Sequence, residues 1–197
     1  MPRPNFFFAF PVDGSFLRQL PPPPPFIRLF QAEDAHLTLS FLGRCGEAAA
    51  ERALVALDQA LGERRPASID VSLGSVVPMG SPRAYSALSA LLERGRDPTT
   101  ALIASLRDAV SEAALDRREA RPPKPHVTIA RPRQNATDAA RRAGLAWAAG
   151  LDLRGVKAQL SHIALYTWSE GNRRERLFRI VAQRPLANGS PPASALV

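Results

Sequence analysis

Two of the three histidines in the 197-residue chain stand in one repeated pattern. "HLTLSFLG" begins at His36 and "HVTIARPR" begins at His126, so each half of the chain carries a His-x-Thr-apolar motif. In an extended strand successive side chains alternate faces, which sets His36 and Thr38 on one face and Leu37 and Leu39 on the other. The same parity opposes His126 and Thr128 to Val127 and Ile129. A solitary histidine in such a place is most simply a hydrogen-bonded structural residue. Two of them, each with a threonine at the same offset, point instead to one shared site.

Imidazoles titrate near neutrality, so a pair can divide the work of cleaving a phosphodiester, one taking a proton from the attacking oxygen and the other giving one to the leaving oxygen. Threonine hydroxyls beside them can donate hydrogen bonds to the non-bridging oxygens, where charge builds in the transition state. Such chemistry needs no metal and no cofactor. The sequence has no Cys, His and carboxylate cluster at metal-site spacing, no Walker loop, no G-x-S-x-G elbow and no dinucleotide fingerprint.

The elements that must position these residues follow from pattern. "NFFFAFP" over 5–11 is apolar on both faces and reads as a buried central strand ended by Pro11. A short helix is expected over Gly14–Leu20, and "PPPPP" over 21–25 as a stiff polyproline surface loop. "FIRLF" and the first motif read as strands. Ala50, Leu54, Leu57 and Leu61 recur at helical spacing over Glu47–Leu61. "SIDVSLGSVVPMG" and "RAYSALSALL" read as strands, the latter followed by the turn-prone "RGRDP". A second helix carries Leu102, Leu106, Val110 and Ala113 on one face. "RPPKP" over 121–125 forces extended chain into the second motif. A third helix is expected over Asp138–Ala149, then two long strands, "VKAQLSHIALYTW" and "RLFRIVAQRPL", joined by the turn "SEGNRR". The mixture lacks a regular βαβ rhythm, so the fold class is α+β. One domain over residues 1–188 is expected, with 189–197 a frayed tail.

With 45% hydrophobic residues and a mean hydropathy of −0.14, the chain can bury a substantial core. The single Cys45 excludes an internal disulfide and reads as a small buried residue after a strand. No run approaches the roughly 18 apolar residues of a membrane span, and the opening apolar stretch is too short and too soon broken for a signal peptide, so a cytoplasmic protein without membrane contact is expected. A net charge of +8 favours polyanionic partners. Arginine supplies all but two of the 26 positive charges, a bias that also fits a general compositional trend.

Taken together, "AEDAHLTLSFLG" and "PHVTIARP", with "FFFAFPV" before them and "HIALYTW" and "LFRIVAQRPL" after, resemble the paired signatures of the 2H phosphoesterase superfamily, specifically the bacterial RNA 2′,3′-cyclic phosphodiesterases also called 2′-5′ RNA ligases. The resemblance implies a bilobal fold of pseudo-symmetric antiparallel lobes with outer helices around a central groove. It implies hydrolysis of RNA or nucleoside 2′,3′-cyclic phosphates to 2′-phosphates, with weak reversible 2′-5′ ligation in some members. By position it makes His36 and His126 the acid–base pair, Thr38 and Thr128 phosphate ligands, Arg131 a phosphate contact and Phe41 a platform for a nucleobase. The partners would be RNA ends or nucleotides bearing the cyclic phosphate, and a monomer is expected. Which histidine is acid and which is base is not fixed by sequence.

Arg131 and Phe41 each follow a motif histidine by five positions, so an unbroken strand would turn them away from it, and only a bend or bulge would bring them round. Around residues 78–98 the sequence departs from the family pattern, and Arg83 and Tyr85 are candidates for the basic and aromatic roles there. His162 lacks a motif and reads as structural or surface. Other readings remain open: a 2H enzyme for 2′-5′ oligoadenylate or a cyclic nucleotide metabolite such as ADP-ribose 1″,2″-cyclic phosphate, or an inactive RNA- or nucleotide-binding module. A general nucleic-acid-binding protein would need a helix-turn-helix or RRM signature, which is missing.

Overall fold

The structure is a computed structural model and describes residues 4–170 and 176–187. The doubly apolar opening run becomes β1 (Phe6–Pro11), buried on both faces as far as Phe10. There follow β2 (Ile27–Leu29), β3 (His36–Gly43), α1 (Glu47–Arg64), β4 (Ile69–Met79), β5 (Ala87–Arg94) and α2 (Arg96–Leu115). The chain continues through β6 (His126–Pro132), α3 (Asp138–Ala149), β7 (Lys157–Leu160), β8 (His162–Trp168) and β9 (Phe178–Pro185). The α+β class is as expected.

Among the described residues the strands form one antiparallel sheet ordered β7-β4-β5-β6-β3-β1-β8-β9, with β2 paired to β6. The sheet curls into a half-barrel of two lobes. One lobe holds β3, β1, β8 and β9, and the other holds β6, β5, β4, β7 and β2. The lobes meet where β3 and β6 pair antiparallel at Leu37↔Val127, both fully buried. The main core gathers residues of β1, α1, α2 and β6, including Phe8, Phe10, Leu57, Leu106 and Ile129. A smaller cluster of Ile27, Tyr85, Leu88, Ala130 and Ala148 lies under α3. That helix approaches closely because Gly144 carries no Cβ, which would lie 2.5 Å from the Tyr85 hydroxyl.

Several expectations change. The stretch expected as one strand over 156–168 is two: β7 pairs with β4 and β8 pairs with β1 and β9. Ser161 lies between them, its carbonyl accepting the Leu186 N–H at 2.8 Å, and here the chain passes from one lobe to the other. The short helix over 14–20 is a 3₁₀ segment, Ser15–Gln19, because the proline run leaves no room for α-helical bonds. β5 starts only at Ala87, after a turn in which Ala84 N–H reaches the Ser81 carbonyl at 3.0 Å. "RGRDP" is less turn than expected: α2 begins at Arg96, and Pro98 fits its first turn, where a missing N–H costs nothing. On that helix Ala114 rather than Ala113 joins Leu102, Leu106 and Val110 inside. Cys45 is free and only partly buried. The proline run follows the surface, fastened by Trp147 Nε1–H to the Pro21 carbonyl at 3.2 Å. Of the expected "SEGNRR" turn only Ser169 and Glu170 fall within the described residues, and the expected tail lies outside them.

Candidate active site

β3 and β6 each begin on a motif histidine, and their antiparallel register at Leu37↔Val127 sets His36 level with Thr128 and Thr38 level with His126. A local two-fold axis thus passes through the Leu37 and Val127 pair, and the four polar side chains share the face opposite that pair. Both imidazoles are held alike. His36 Nδ1 lies 2.6 Å from the Asp34 carbonyl and His126 Nδ1 lies 2.6 Å from the Lys124 carbonyl. A carbonyl only accepts, so each Nδ1 carries the proton and each Nε2 is left for chemistry in the groove.

The parity of the motifs is broken at equivalent points. In β3, Thr38 pairs with Ala9 but Ser40 with Phe8, which leaves Leu39 as an extra residue. In β6, Thr128 pairs with Ser89 but Ala130 with Leu88, which leaves Ile129 extra. These matching β-bulges keep Leu39 with Ser40, and Ile129 with Ala130, on the inner face and turn the next residue back to the groove. Phe41 therefore stacks on Phe7 at 6.2 Å, 62% exposed, and lines the same cavity as Thr38 and His126. Arg131 lies over the Phe30 ring at 5.1 Å, close enough for its charge to oppose protonation of both histidines. Thr38, Phe41 and His126 thus line one cavity and Arg131 the neighbouring one, with His36 and Thr128 level with them on the paired motif strands.

The two imidazoles differ in environment. His36 is 8% exposed and walled by Phe7 at 5.0 Å, Phe178 at 5.5 Å and Tyr166 at 5.6 Å. Burial pushes it down to about 4, with the charges of Arg131 and His126 adding and the Asp34 carbonyl opposing. His126 is partly exposed and is also lowered, first by burial and then by Lys124 and Arg131. Both are neutral at pH 7 in the unliganded protein, and a bound phosphate anion would favour protonation of one of them. Among the described residues no group of three or more His, Cys, Asp or Glu is placed to hold a metal ion.

Two positioning residues were not singled out in the sequence. Asp34, fully buried, anchors His36 with its carbonyl and accepts the N–H groups of Leu177 and Phe178 with its carboxylate at 2.9–3.0 Å. Its carboxyl is raised, by burial above all. Arg107 on α2 donates to the carbonyls of Arg121 at 2.8 Å and Glu119 at 3.0 Å, steadying the segment that leads into His126. Asp34 has no sequence signal beyond its place two residues before His36, and Arg107, on a helix well upstream of His126, has none. The aromatic wall did have one, since Tyr166 and Trp168 share parity in "HIALYTW". Tyr85 does not enter the groove. It is 1% exposed, donates to the Arg141 carbonyl at 3.0 Å and belongs to the core under α3. Arg83 lies exposed in the preceding turn, outside the cavities that flank the histidines. His162 is an exposed residue whose Nδ1 contacts Ser161 Oγ at 2.9 Å, in keeping with a surface role.

The sequence profile of the 2′-5′ RNA ligase superfamily matches residues 18–172. No curated protein matches the sequence significantly. Among solved structures, Escherichia coli LigT complexed with 3′-AMP aligns with a TM-score of 0.66 and 21% identity over 94% of this chain and 100% of its own. TT0787 of Thermus thermophilus aligns with a TM-score of 0.70 and 20% identity, again over 94% and 100%. At these identities the likeness establishes the fold.

Proposed function

From the premise that this chain belongs to the 2′-5′ RNA ligase superfamily of 2H phosphoesterases, we propose that it hydrolyses the 2′,3′-cyclic phosphate of RNA ends or nucleotides to a 2′-phosphate without a metal ion. The observation that carries the reading is the two-fold-related pair of imidazoles, each tied through Nδ1 to a carbonyl two residues upstream so that both Nε2 atoms serve one groove. One Nε2 takes a proton from water as its oxygen bonds to phosphorus. The other, protonated, gives its proton to the departing 3′-oxygen, and the ring opens to the 2′-phosphomonoester. Thr38 and Thr128 donate to the non-bridging oxygens, and the Arg131 guanidinium offsets the charge that accumulates there. Phe41 offers a face to the base. The same pair supports weak 2′-5′ joining when a 5′-hydroxyl replaces water as the group that bonds to phosphorus while the 3′-oxygen leaves, and the step is reversible because the freed 3′-hydroxyl can attack the 2′-5′ linkage and expel the 5′-oxygen. LigT has been crystallised with 3′-AMP and with NADP+, which supports a nucleotide-sized ligand for a groove of this shape.

The test is turnover of nucleoside 2′,3′-cyclic phosphates with and without EDTA. EDTA is expected to change nothing. His36→Ala and His126→Ala should each lose about 10²–10⁴-fold in kcat, and the double variant less than the product of the two losses. Near-wild-type rates in either single variant would rule out the paired mechanism.

A further inference from the structure

β1 and β3 pair from Pro11↔His36 at one end to Phe6↔Gly43 at the other. A cavity of about 460 Å³ opens at the second end, roughly 15 Å along the strands from His36, and no motif histidine or threonine lines it. It is walled by the ends of several elements: Asn5 before β1, Arg44 after β3, Glu47 at the start of α1, Trp168 and Glu170 at the close of β8, and Arg179 on β9. The volume falls within the roughly 300–1,000 Å³ typical of small-molecule sites.

Asn5 singles this cavity out. The residue is 9% exposed and its backbone carbonyl accepts the Thr167 hydroxyl at 3.0 Å, but its side-chain amide has no hydrogen-bond partner among the described residues. A buried polar group left unpaired destabilises the fold, and a ligand that bonds to the amide removes that penalty. Most of the charge nearby is matched internally. Arg179 donates to Glu170 at 3.1 Å, and Glu47 sits in the first turn of α1, where a carboxylate complements the helix dipole. Arg44 is exposed and makes no ion pair among the described residues. The cavity therefore presents one buried amide, with donor and acceptor side by side, and one unmatched guanidinium. A bare anion would meet Arg44 and leave the amide oxygen unpaired, and a cation would be repelled by Arg44. A purine edge that sets a donor next to an acceptor satisfies both atoms of the amide, as adenine N6 and N7 do, while the phosphate of the same nucleotide gives the guanidinium its counter-charge.

We propose that this cavity binds one adenine nucleotide unit, the Asn5 amide pairing with the base and Arg44 with the phosphate, at a distance from the groove that holds the motif histidines. Binding there needs none of the motif residues, so the site stands whether or not the chain hydrolyses cyclic phosphates. A free nucleotide and one residue of an RNA chain present the same chemistry, and turnover of long and short substrates distinguishes the two.

Titration of the whole labelled protein with adenosine 5′-monophosphate, followed by NMR, should shift the Asn5 side-chain amide signals to saturation, and cytidine 5′-monophosphate should bind at least about fivefold more weakly. Asn5→Asp, an acceptor suited to the cytosine amino group, should reverse that order. Asn5→Ala, followed at the Arg44 and Thr167 backbone amides, should weaken adenosine 5′-monophosphate at least about fivefold with Tm unchanged or raised, since the lost amide makes no bond within the protein. Arg44→Ala should weaken the nucleotide but not adenosine. If the unit belongs to the substrate strand, Asn5→Ala also raises KM for an oligoadenylate ending in a 2′,3′-cyclic phosphate and not for the cyclic mononucleotide; if it is a free nucleotide, both KM values stay at wild type while binding is lost. Asn5 signals that stay in place at millimolar nucleotide, equal affinity for the two nucleotides, an order that Asn5→Asp leaves unchanged, or a lower Tm in Asn5→Ala would overturn the site. Shifts at Asn5 in a protein that leaves cyclic phosphates intact lose the proposed hydrolysis and keep the site.

Discussion

An imidazole walled by three aromatic rings gives up hydration when it is charged, and at His36 this has consequences both for catalysis and for folding. In the free protein the form with one charged and one neutral histidine exists only on the acid side of the ordinary histidine range, because both are lowered. A bound phosphodiester anion reverses part of that. The kcat/KM profile, which reports the free enzyme, should therefore peak at lower pH than the kcat profile, which reports the complex. Coincident profiles would mean that phosphate does not sit between the imidazoles. The folding side has a definite sign: His36 falls from 6.5 unfolded to about 4 folded, so the unfolded chain binds the extra proton between those values. Its contribution is complete above pH 6.5 and is lost as pH falls towards 4, on the order of 3 kcal/mol in all. Denaturation of wild type and His36→Gln across that window should show the larger acid loss in wild type. Ser89, opposite Thr128, is fully buried, and its hydroxyl finds no hydrogen-bond partner among the described residues. Ser89→Ala should accordingly raise stability by up to ~1 kcal/mol in urea titration.

At the scale of elements, the site depends on how strands are broken and fastened. Asp34 links the start of β9 to the start of β3, and its carboxylate is the acceptor for two backbone donors. Asp34→Ala strands those donors and should cost ~3 kcal/mol or more, with faster amide exchange at Leu177 and Phe178 before other parts of the sheet. The motif strands themselves were legible, because alternation, order and flanking apolar residues all agree at Leu37, Leu39, Val127 and Ile129. The bulges were not. Leu39 and Ile129 are ordinary β-formers, and the extra residue shows only when each strand is laid beside its neighbour, so parity alone points Phe41 and Arg131 the wrong way. The break at Ser161 was hidden for a similar reason: β7 and β8 alternate well enough to read as one strand, and only the pairing to β4 on one side and β1 on the other divides them. Tyr85 was misplaced because an aromatic in a strand-like run looks the same from sequence whether it faces a groove or a helix. Its neighbour is Gly144 on α3, far along the chain.

The whole molecule carries a net charge of +8, and Lys124, Arg28 and Arg133 line the cavities beside the motif residues. Lengthening the substrate from a cyclic mononucleotide to an oligonucleotide should lower KM, and the gain should shrink with salt by roughly 0.7 in log–log slope for each phosphate neutralised. A KM indifferent to length and salt would make the basic surface a matter of composition. Thr128→Ala should depress kcat on short and long substrates alike, by about 10²–10³-fold at most. The lobes that build this groove are not the two halves of the chain. β1 lies between β3 and β8, and Phe6 pairs with Thr167, distant in the sequence. On the ribosome, a ribbon of four phenylalanines therefore waits with one edge open until β8, about 150 positions later, has emerged. The other lobe, whose strands lie within Ile27–Leu160, can close first. Nascent chains should depend on holding chaperones until β8 and β9 arrive, refolding should be slow for a protein of this size, and chains stopped after Leu160 should aggregate rather than leave a working half.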